Sequence, residues 1–414
     1  MIYQIKDRPP LSKILLGAFQ QLLAILAATI AVPAIIGHGM SQAAALFGAG
    51  VGTLMYLLIT KGNSPVFLGS SFAFLGSMSA AFAGAASASL GYLGLILGAG
   101  FAALIYLIFA LLVKFFGVKW IYYIMPKQVI GPTVAIIGLS LATNAVGDIL
   151  SAGHKGLLCG LITLLVIVIV SVYGNKNIKL IPFIIGIAAG YMVALIFGLV
   201  KIPAYEWVPK FTFVEALNGG QNLTWGYVAT IAVAYIPVAF VVFAEHIADH
   251  LNLSSIIGHN LLEDPGLHRT LVGDGMGSFV GAFFGGCPNT TYGESISCVA
   301  ISQNASVITT VVTAIFAIIA SFIGPFVAIL ASIPTCVLAG ACFMLYGYIA
   351  VSGLKMIQSV DLNKHNNLFT VASILVAGVG GLTVSFGQIT LTSVACALGL
   401  GIVINLLGSI HFTK

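Results

Sequence analysis

The acids that stand inside apolar segments of this chain are Glu245, Asp249 and Glu294. An acid at a helix centre in a bilayer costs roughly 2.5–3.5 kcal/mol on insertion scales, so each is a functional hypothesis by default. Glu245 and Asp249 are four residues apart and share one helix face, with His246 and His250 alongside. Asp249 and His250 lie nearer the end of their segment, where plain solvation by snorkelling competes with a functional reading. Glu294 sits in Gly286-Cys287-Pro288-Asn289-Thr290-Thr291-Tyr292-Gly293-Glu294-Ser295, a stretch with a proline, glycines and hydroxyls inside an apolar landscape. Ser297, Cys298 and Ser302 follow at i+3, i+4 and i+8, a polar stripe suited to a water-accessible path or to polar helix contact.

The chemistry open to these residues is recognition of a neutral solute. Two carboxylates, Glu245 and Glu294, with no Lys or Arg in a neighbouring span would repel an anion. They would accept hydrogen bonds from a planar solute rich in N–H groups, and an aromatic such as Phe72 could stack on its ring. Burial also disfavours the charged form of a carboxyl group, which lets it carry a proton, so proton coupling follows.

Other chemistries are poorly supported. The glycine clusters Gly48-Ala49-Gly50-Val51-Gly52 and Gly275-Met276-Gly277 lack the strand-turn-helix context of a nucleotide fingerprint. No HExxH or GxSxG occurs, so an enzyme is not expected. The six cysteines, Cys159, Cys287, Cys298, Cys336, Cys342 and Cys396, show neither CxxC nor metal spacing with histidine, and no metal or cofactor is expected. The basic residues form no patch with interleaved aromatics, which argues against a nucleic-acid partner.

The elements that must position the acids are membrane helices. Of 414 residues, 59% are hydrophobic and 7% charged, far from a soluble domain. The apolar runs are helix-length and lack the period-two alternation of barrel strands. The polar start, Met1 to Lys13, followed by a long first run, reads as a retained helix and not a cleaved signal. Cutting at polar, glycine and proline clusters gives about fourteen segments: 13–36, 41–60, 66–83, 90–116, 126–147, 156–173, 178–199, 225–250, 266–285, 288–302, 304–323, 326–351, 366–386 and 389–411. Placing the N-terminus inside puts Lys6, Arg8, Lys13, Lys61, Lys114, Lys119, Lys127, Lys176, Lys179, Arg269, Lys355, Lys364 and Lys414 on the cytoplasmic side, with Lys155, Lys201 and Lys210 outside. Both termini are then cytoplasmic. The loop from Lys201 to Thr224 divides the chain into halves of odd segment number, which permits inverted repeats. Pro65 before Gly69-Ser70-Ser71-Phe72 echoes Pro288 before Thr290-Thr291-Tyr292-Gly293. These small, β-capable residues suit short extended stretches followed by half-helices, whose N-termini would face a central site.

Gly69-Ser70-Ser71-Phe72-Ala73-Phe74, Ala244-Glu245-His246, Asp264-Pro265-Gly266-Leu267-His268-Arg269 and Pro288 to Glu294 together resemble bacterial uracil permeases of the nucleobase-ascorbate transporter family, also called nucleobase:cation symporter family 2. The resemblance includes Arg8-Pro9-Pro10-Leu11 and runs almost end to end. It implies an all-α polytopic protein of fourteen helices in two inverted seven-helix repeats, with short antiparallel strands in segments three and ten. Residues 1–120 and 225–324 would form a core domain, and 121–224 and 325–414 a gate domain. Glu245 and Glu294 would hydrogen-bond the base, Phe72 would pack on its ring, Ser71, Tyr292 and Gly293 would lie alongside, and Tyr346 would face the site from the gate. Asp249 with Glu245 would carry the coupling proton. The implied function is uracil import by proton symport at the cytoplasmic membrane, by core moving against gate; a purine or xanthine symporter or an anion transporter of the same architecture are the alternatives. Family members use protons or sodium and are often homodimers. The family signature has Asn and Gly where this chain has Ser295 and Ser297, and some members have histidine at the position of Asp249.

Overall fold

The computed structural model describes residues 1–175, 178–202, 207–386 and 389–409. Lys176 and Lys414, two charges used above to orient the chain, lie outside the described residues, as does part of the loop from Lys201 to Thr224. In the first half the chain forms α1 (Leu11–Ile36), α2 (Gln42–Ile59), β1 (Leu68–Ser70), α3 (Leu75–Ala83), α4 (Ala88–Phe116), α5 (Lys119–Ile124), α6 (Lys127–Leu150), α7 (Gly153–Tyr173) and α8 (Pro182–Ile196). The short α9 (Thr212–Glu215) lies between the halves. Then come α10 (Trp225–Ile257), α11 (Leu267–Gly285), β2 (Asn289–Thr291), α12 (Gly293–Ser302), α13 (Val307–Ser321), α14 (Gly324–Ala331), α15 (Thr335–Ile357), α16 (His365–Val379), β3 (Val384–Phe386), β4 (Ile389–Leu391) and α17 (Ser393–Ser409).

Helix starts are set locally. Side-chain oxygens of Ser41, Ser87 and Thr224 accept from the backbone N–H three residues on, at 3.1, 3.2 and 3.2 Å, and so begin α2, α4 and α10. By length and composition α1, α2, α4, α6, α7, α10 and α15 can each cross a bilayer, while α8, α16 and α17 are shorter apolar helices.

Each expected segment finds an element, with one correction. The run 326–351 is not one helix: α14 turns by 85° from α13, and α15 starts only at Thr335. Gly324-Pro325 breaks the first helix and Pro334 the second, and proline tolerates only a helix's first turn. The pair β3 and β4, in register Val384↔Leu391, is a second antiparallel ladder that the sequence reading lacks.

The expected strands in segments three and ten exist and pair with each other: Leu68↔Thr291, Gly69↔Thr290 and Ser70↔Asn289, antiparallel. Irregular backbone at membrane depth survives only where protein satisfies its polar groups. Here Ser71 N–H donates to the Pro288 carbonyl (2.9 Å), Leu68 N–H to Thr53 Oγ1 (2.9 Å), and Asn289 Nδ2 to the Gly48 carbonyl (3.2 Å). α2 and α11 clasp these strands at close range. A Cβ on Gly48 would sit 2.5 Å from the Gly281 carbonyl oxygen, so no larger residue fits that crossing.

α2 packs on α11 and α13, and α4 on α10 and α11. α15 packs on α6, α7 and α8, and α6 on α16 and α17. α1 and α10 touch both groups, meeting α15 and α6 respectively.

Candidate functional site

β1 and β2 end where two short helices begin. Ser71, extended, leads into the turn Phe72–Phe74 ahead of α3, and Tyr292, extended, leads into α12, which carries Glu294 in its first turn. Phe72 and Ala73 from one start, and Gly293 and Glu294 from the other, line a single cavity of about 960 Å³. α10 contributes Glu245, Ala248, Asp249 and Asn252, spaced as one helical face. α15 forms the facing wall with Tyr348, Ile349, Ser352 and Lys355.

The cavity thus brings together Glu245, Asp249, Glu294, Phe72, Tyr292 and Gly293. The three acids are half-buried and Gly293 is exposed to the cavity. Thr291 Oγ1 donates to Asp249 Oδ2 at 2.5 Å, tying β2 to α10. Tyr292 turns its hydroxyl away, donating to the Ser70 carbonyl at 2.9 Å, and its ring covers Gly69. Ser297 and Cys298 line the cavity as the polar stripe suggested; Ser302 faces a small separate cleft beside Gln21 and Asn304.

Two of the named residues stand behind the wall. Ser71 is buried with its hydroxyl unpartnered, and Tyr346, 3% exposed, meets the Phe72 ring edge-on at 5.4 Å and 84°. Tyr346 therefore braces the ring that lines the cavity. Ser295, one of the two departures from the family signature, also points elsewhere: its hydroxyl accepts from Gln21 Nε2 at 2.7 Å and from the Phe67 N–H at 3.3 Å. Gln21 in turn accepts from Thr313 at 2.9 Å, so Ser295 knits α12 to α1 and α13.

The sequence reading omits Asp274, in α11, fully buried. Its Oδ2 lies 2.8 Å from His246 Nδ1, and His246 Nε2 lies 3.0 Å from Thr270 Oγ1. The His250 ring lies tilted against His246, centroids 4.0 Å apart, with its Nε2 2.8 Å from the Tyr56 hydroxyl, which donates to Ser64 at 2.7 Å. This polar chain lies behind Glu245 and Asp249, on the face of α10 turned away from the cavity. The same insertion-cost argument that singled out Glu245 applies to an acid between Gly273 and Gly275 in segment nine, and would have found it. Among the described residues, a hydroxyl meets Asp249 and a histidine meets Asp274.

The Permease family matches residues 12–386. The chain is 37% identical over 420 residues to the uracil permease of Bacillus caldolyticus, covering 98% of this chain and 94% of the relative. Identity to the uracil permease of Bacillus subtilis (strain 168) is 37% over 409 residues, covering 94% and 91%. For the uracil permease of Escherichia coli (strain K12) it is 34% over 412 residues, covering 97% and 93%. In fold, the chain is similar to the transmembrane domain of a cyanobacterium bicarbonate transporter, BicA, with TM-score 0.61 and 15% identity, covering 98% of this chain and all of that one. Murine Slc26a9, an anion transporter in the inward-facing state, gives TM-score 0.69 and 12% identity, covering 97% and 69%.

Proposed function

The chain belongs to the permease family and is a transporter, not an enzyme, and from that premise we propose that it imports uracil by proton symport. The carrying observation is that Glu245 from α10 and Glu294 from α12 face one cavity beside the Phe72 ring. Two acceptor carboxylates suit the N–H groups of a pyrimidine, and an aromatic face suits its ring. Among the described lining residues the lysines are Lys127, Lys179 and Lys355, at the mouth and not beside these acids, which weighs against the anionic substrates named for the structural neighbours. The uracil permeases at 34–37% identity support the same choice.

Asp249 and Glu245 supply exchangeable carboxyls on the substrate's own wall, and a proton arriving with the base neutralises one of them. Residues 1–120 and 225–324 would move as a core, elevator-like or rocking, against a gate of 121–224 and 325–414. The separate packing groups of α2, α11, α13 and of α6, α15, α16 support that division. The two halves, each with a short strand ahead of a half-helix, agree with inverted repeats. The cavity opens beside Lys127, Lys179 and Lys355, so by charge placement the state is inward-facing and both termini are cytoplasmic.

Uptake of radiolabelled uracil into proteoliposomes tests the proposal: an inward proton gradient should drive accumulation and a protonophore abolish it. Uptake indifferent to both would remove proton coupling. The cavity volume also admits a two-ring base, so competition by unlabelled xanthine and uracil decides between the substrates; stronger competition by xanthine would overturn uracil.

A further inference from the structure

The cavity has two chemically different ends. Glu245, Glu294 and Phe72 mark the deep one, and Lys127, Lys179 and Lys355 mark the mouth. Lys127 opens α6 and Lys355 lies in the last turns of α15. Gly131 in the first turns of α6 abuts Gly353 and Met356 of α15, which places both lysines at one end of that helix pair. None of the three ammoniums is held in an ion pair among the described residues.

In this conformation helix rise gives the separation of the two ends. Ile349 and Lys355 line one wall six residues apart, and Glu245 and Asn252 line the other seven apart. At about 1.5 Å of rise per residue, the mouth lies about 9–11 Å from the deep end. A pyrimidine alone occupies a small part of about 960 Å³ and leaves the lysines unused. The only acidic side chains among the described lining residues are Glu245 and Glu294 at the deep end and Asp249 one turn of α10 nearer the mouth, where its carboxylate is bonded to Thr291.

We propose that the cavity also takes a nucleoside monophosphate, its base at Glu245 and Glu294 and its phosphate at Lys127, Lys179 and Lys355, and that this ligand inhibits transport from the lysine side. The inference rests on the uracil reading of the deep end. A pyrimidine joined to ribose loses the ring N–H at the point of attachment but keeps the other for a carboxylate. The phosphate replaces the lost contact with charge-assisted bonds to ammoniums. With sugar and phosphate lying between α10 and α15, the ligand holds those helices apart and stops turnover. The reaction class that consumes an imported base, its attachment to a sugar phosphate, makes this molecule on the same side, so product would restrain supply.

The test is displacement of radiolabelled uracil from the full-length, detergent-solubilised protein by uridine monophosphate, uridine or inorganic phosphate. Uridine monophosphate should compete about tenfold better than uridine, since each exposed ion pair contributes up to about 1 kcal/mol and 1.4 kcal/mol is a factor of ten; phosphate alone should not compete. The combined substitution Lys127→Gln, Lys179→Gln, Lys355→Gln should erase that margin while leaving uracil affinity within about twofold, and added salt should erase it in the unsubstituted protein too. A nucleotide no better than the nucleoside, or a margin that survives the three substitutions, would overturn the inference. So would a margin present in detergent and lost in bilayers containing anionic lipid, since the lysines then serve lipid phosphates. Absence of uracil binding would sink the substrate reading and this inference with it; uracil binding without the nucleotide margin sinks this inference alone.

Discussion

The Thr291 hydroxyl donates to Asp249 at 2.5 Å, so the last residue of β2 is bonded to the helix that carries Glu245. This contact ties α10, which bears Glu245, to the strand that leads into α12, which bears Glu294, and it does so through the residue proposed to share the coupling proton.

Thr291→Val keeps the shape of the side chain and removes the donor, which for a charged acceptor is about 1.5–3 kcal/mol. The expected outcome is a transport rate about tenfold lower and an altered dependence of that rate on pH, with uracil affinity little changed. Thr291→Ser should restore the profile. A rate and pH profile like those of the unsubstituted protein, measured in proteoliposomes, would show that the bond has no part in coupling.

Tyr346 and Phe72 form a T-shaped ring pair, a contact that a phenyl ring makes as well as a phenol. Tyr346→Phe should therefore bind uracil as the parent does. Tyr346→Ala removes the brace, and an aromatic pair is worth about 0.5–1.5 kcal/mol, so calorimetry should show affinity falling about two- to tenfold. Equal losses in both variants would mean that the hydroxyl, not the ring, matters.

Asp274 and His246 are fully buried and bonded to each other at 2.8 Å. Removing one member of such a pair strands the other, at about 3–5 kcal/mol, whereas apolar replacement of both is often close to neutral. Asp274→Leu should lower the melting temperature in detergent sharply, and Asp274→Leu with His246→Leu should recover much of the loss. Additive losses in the cycle would mean the two do not interact.

Gly48 lies against the Gly281 carbonyl with no room for a Cβ. Gly48→Ala should destabilise by about 1–3 kcal/mol, as overpacked contacts do. Gly147, with open space around it, is the control: Gly147→Ala should leave the thermal midpoint nearly unchanged.

The expensive acids and the interrupted backbone were legible because each violates a local rule. An acid in an apolar run and a proline among hydroxyls announce themselves without knowledge of neighbours. Glu245, Glu294 and the strands at Gly69 and Thr290 follow from such violations. What the chain order hides is rotation and partnership. Ser71 and Tyr346 sit next to or near lining residues, yet a small turn about their own elements puts them behind the wall. The His246 to Asp274 contact joins α10 to α11, and no spacing within either helix encodes it. The run 326–351 reads as one span because Phe326 to Ala331 is as apolar as one; the turn at Gly324-Pro325 depends on two residues that a hydropathy average smooths away.

The pairing of Leu68 with Thr291 also sets an order of manufacture. β1 leaves the ribosome early, and β2, its strand partner among the described residues, is made roughly 220 residues later. At about 5–20 residues per second that interval lasts about 10–45 s, during which three residues of extended backbone have no ladder to join. Hydrocarbon does not tolerate such groups. Thr53 of α2 meets both backbone groups of Leu68 in the meantime, but the ladder itself, and with it the binding site, is complete only when β2 arrives beside β1.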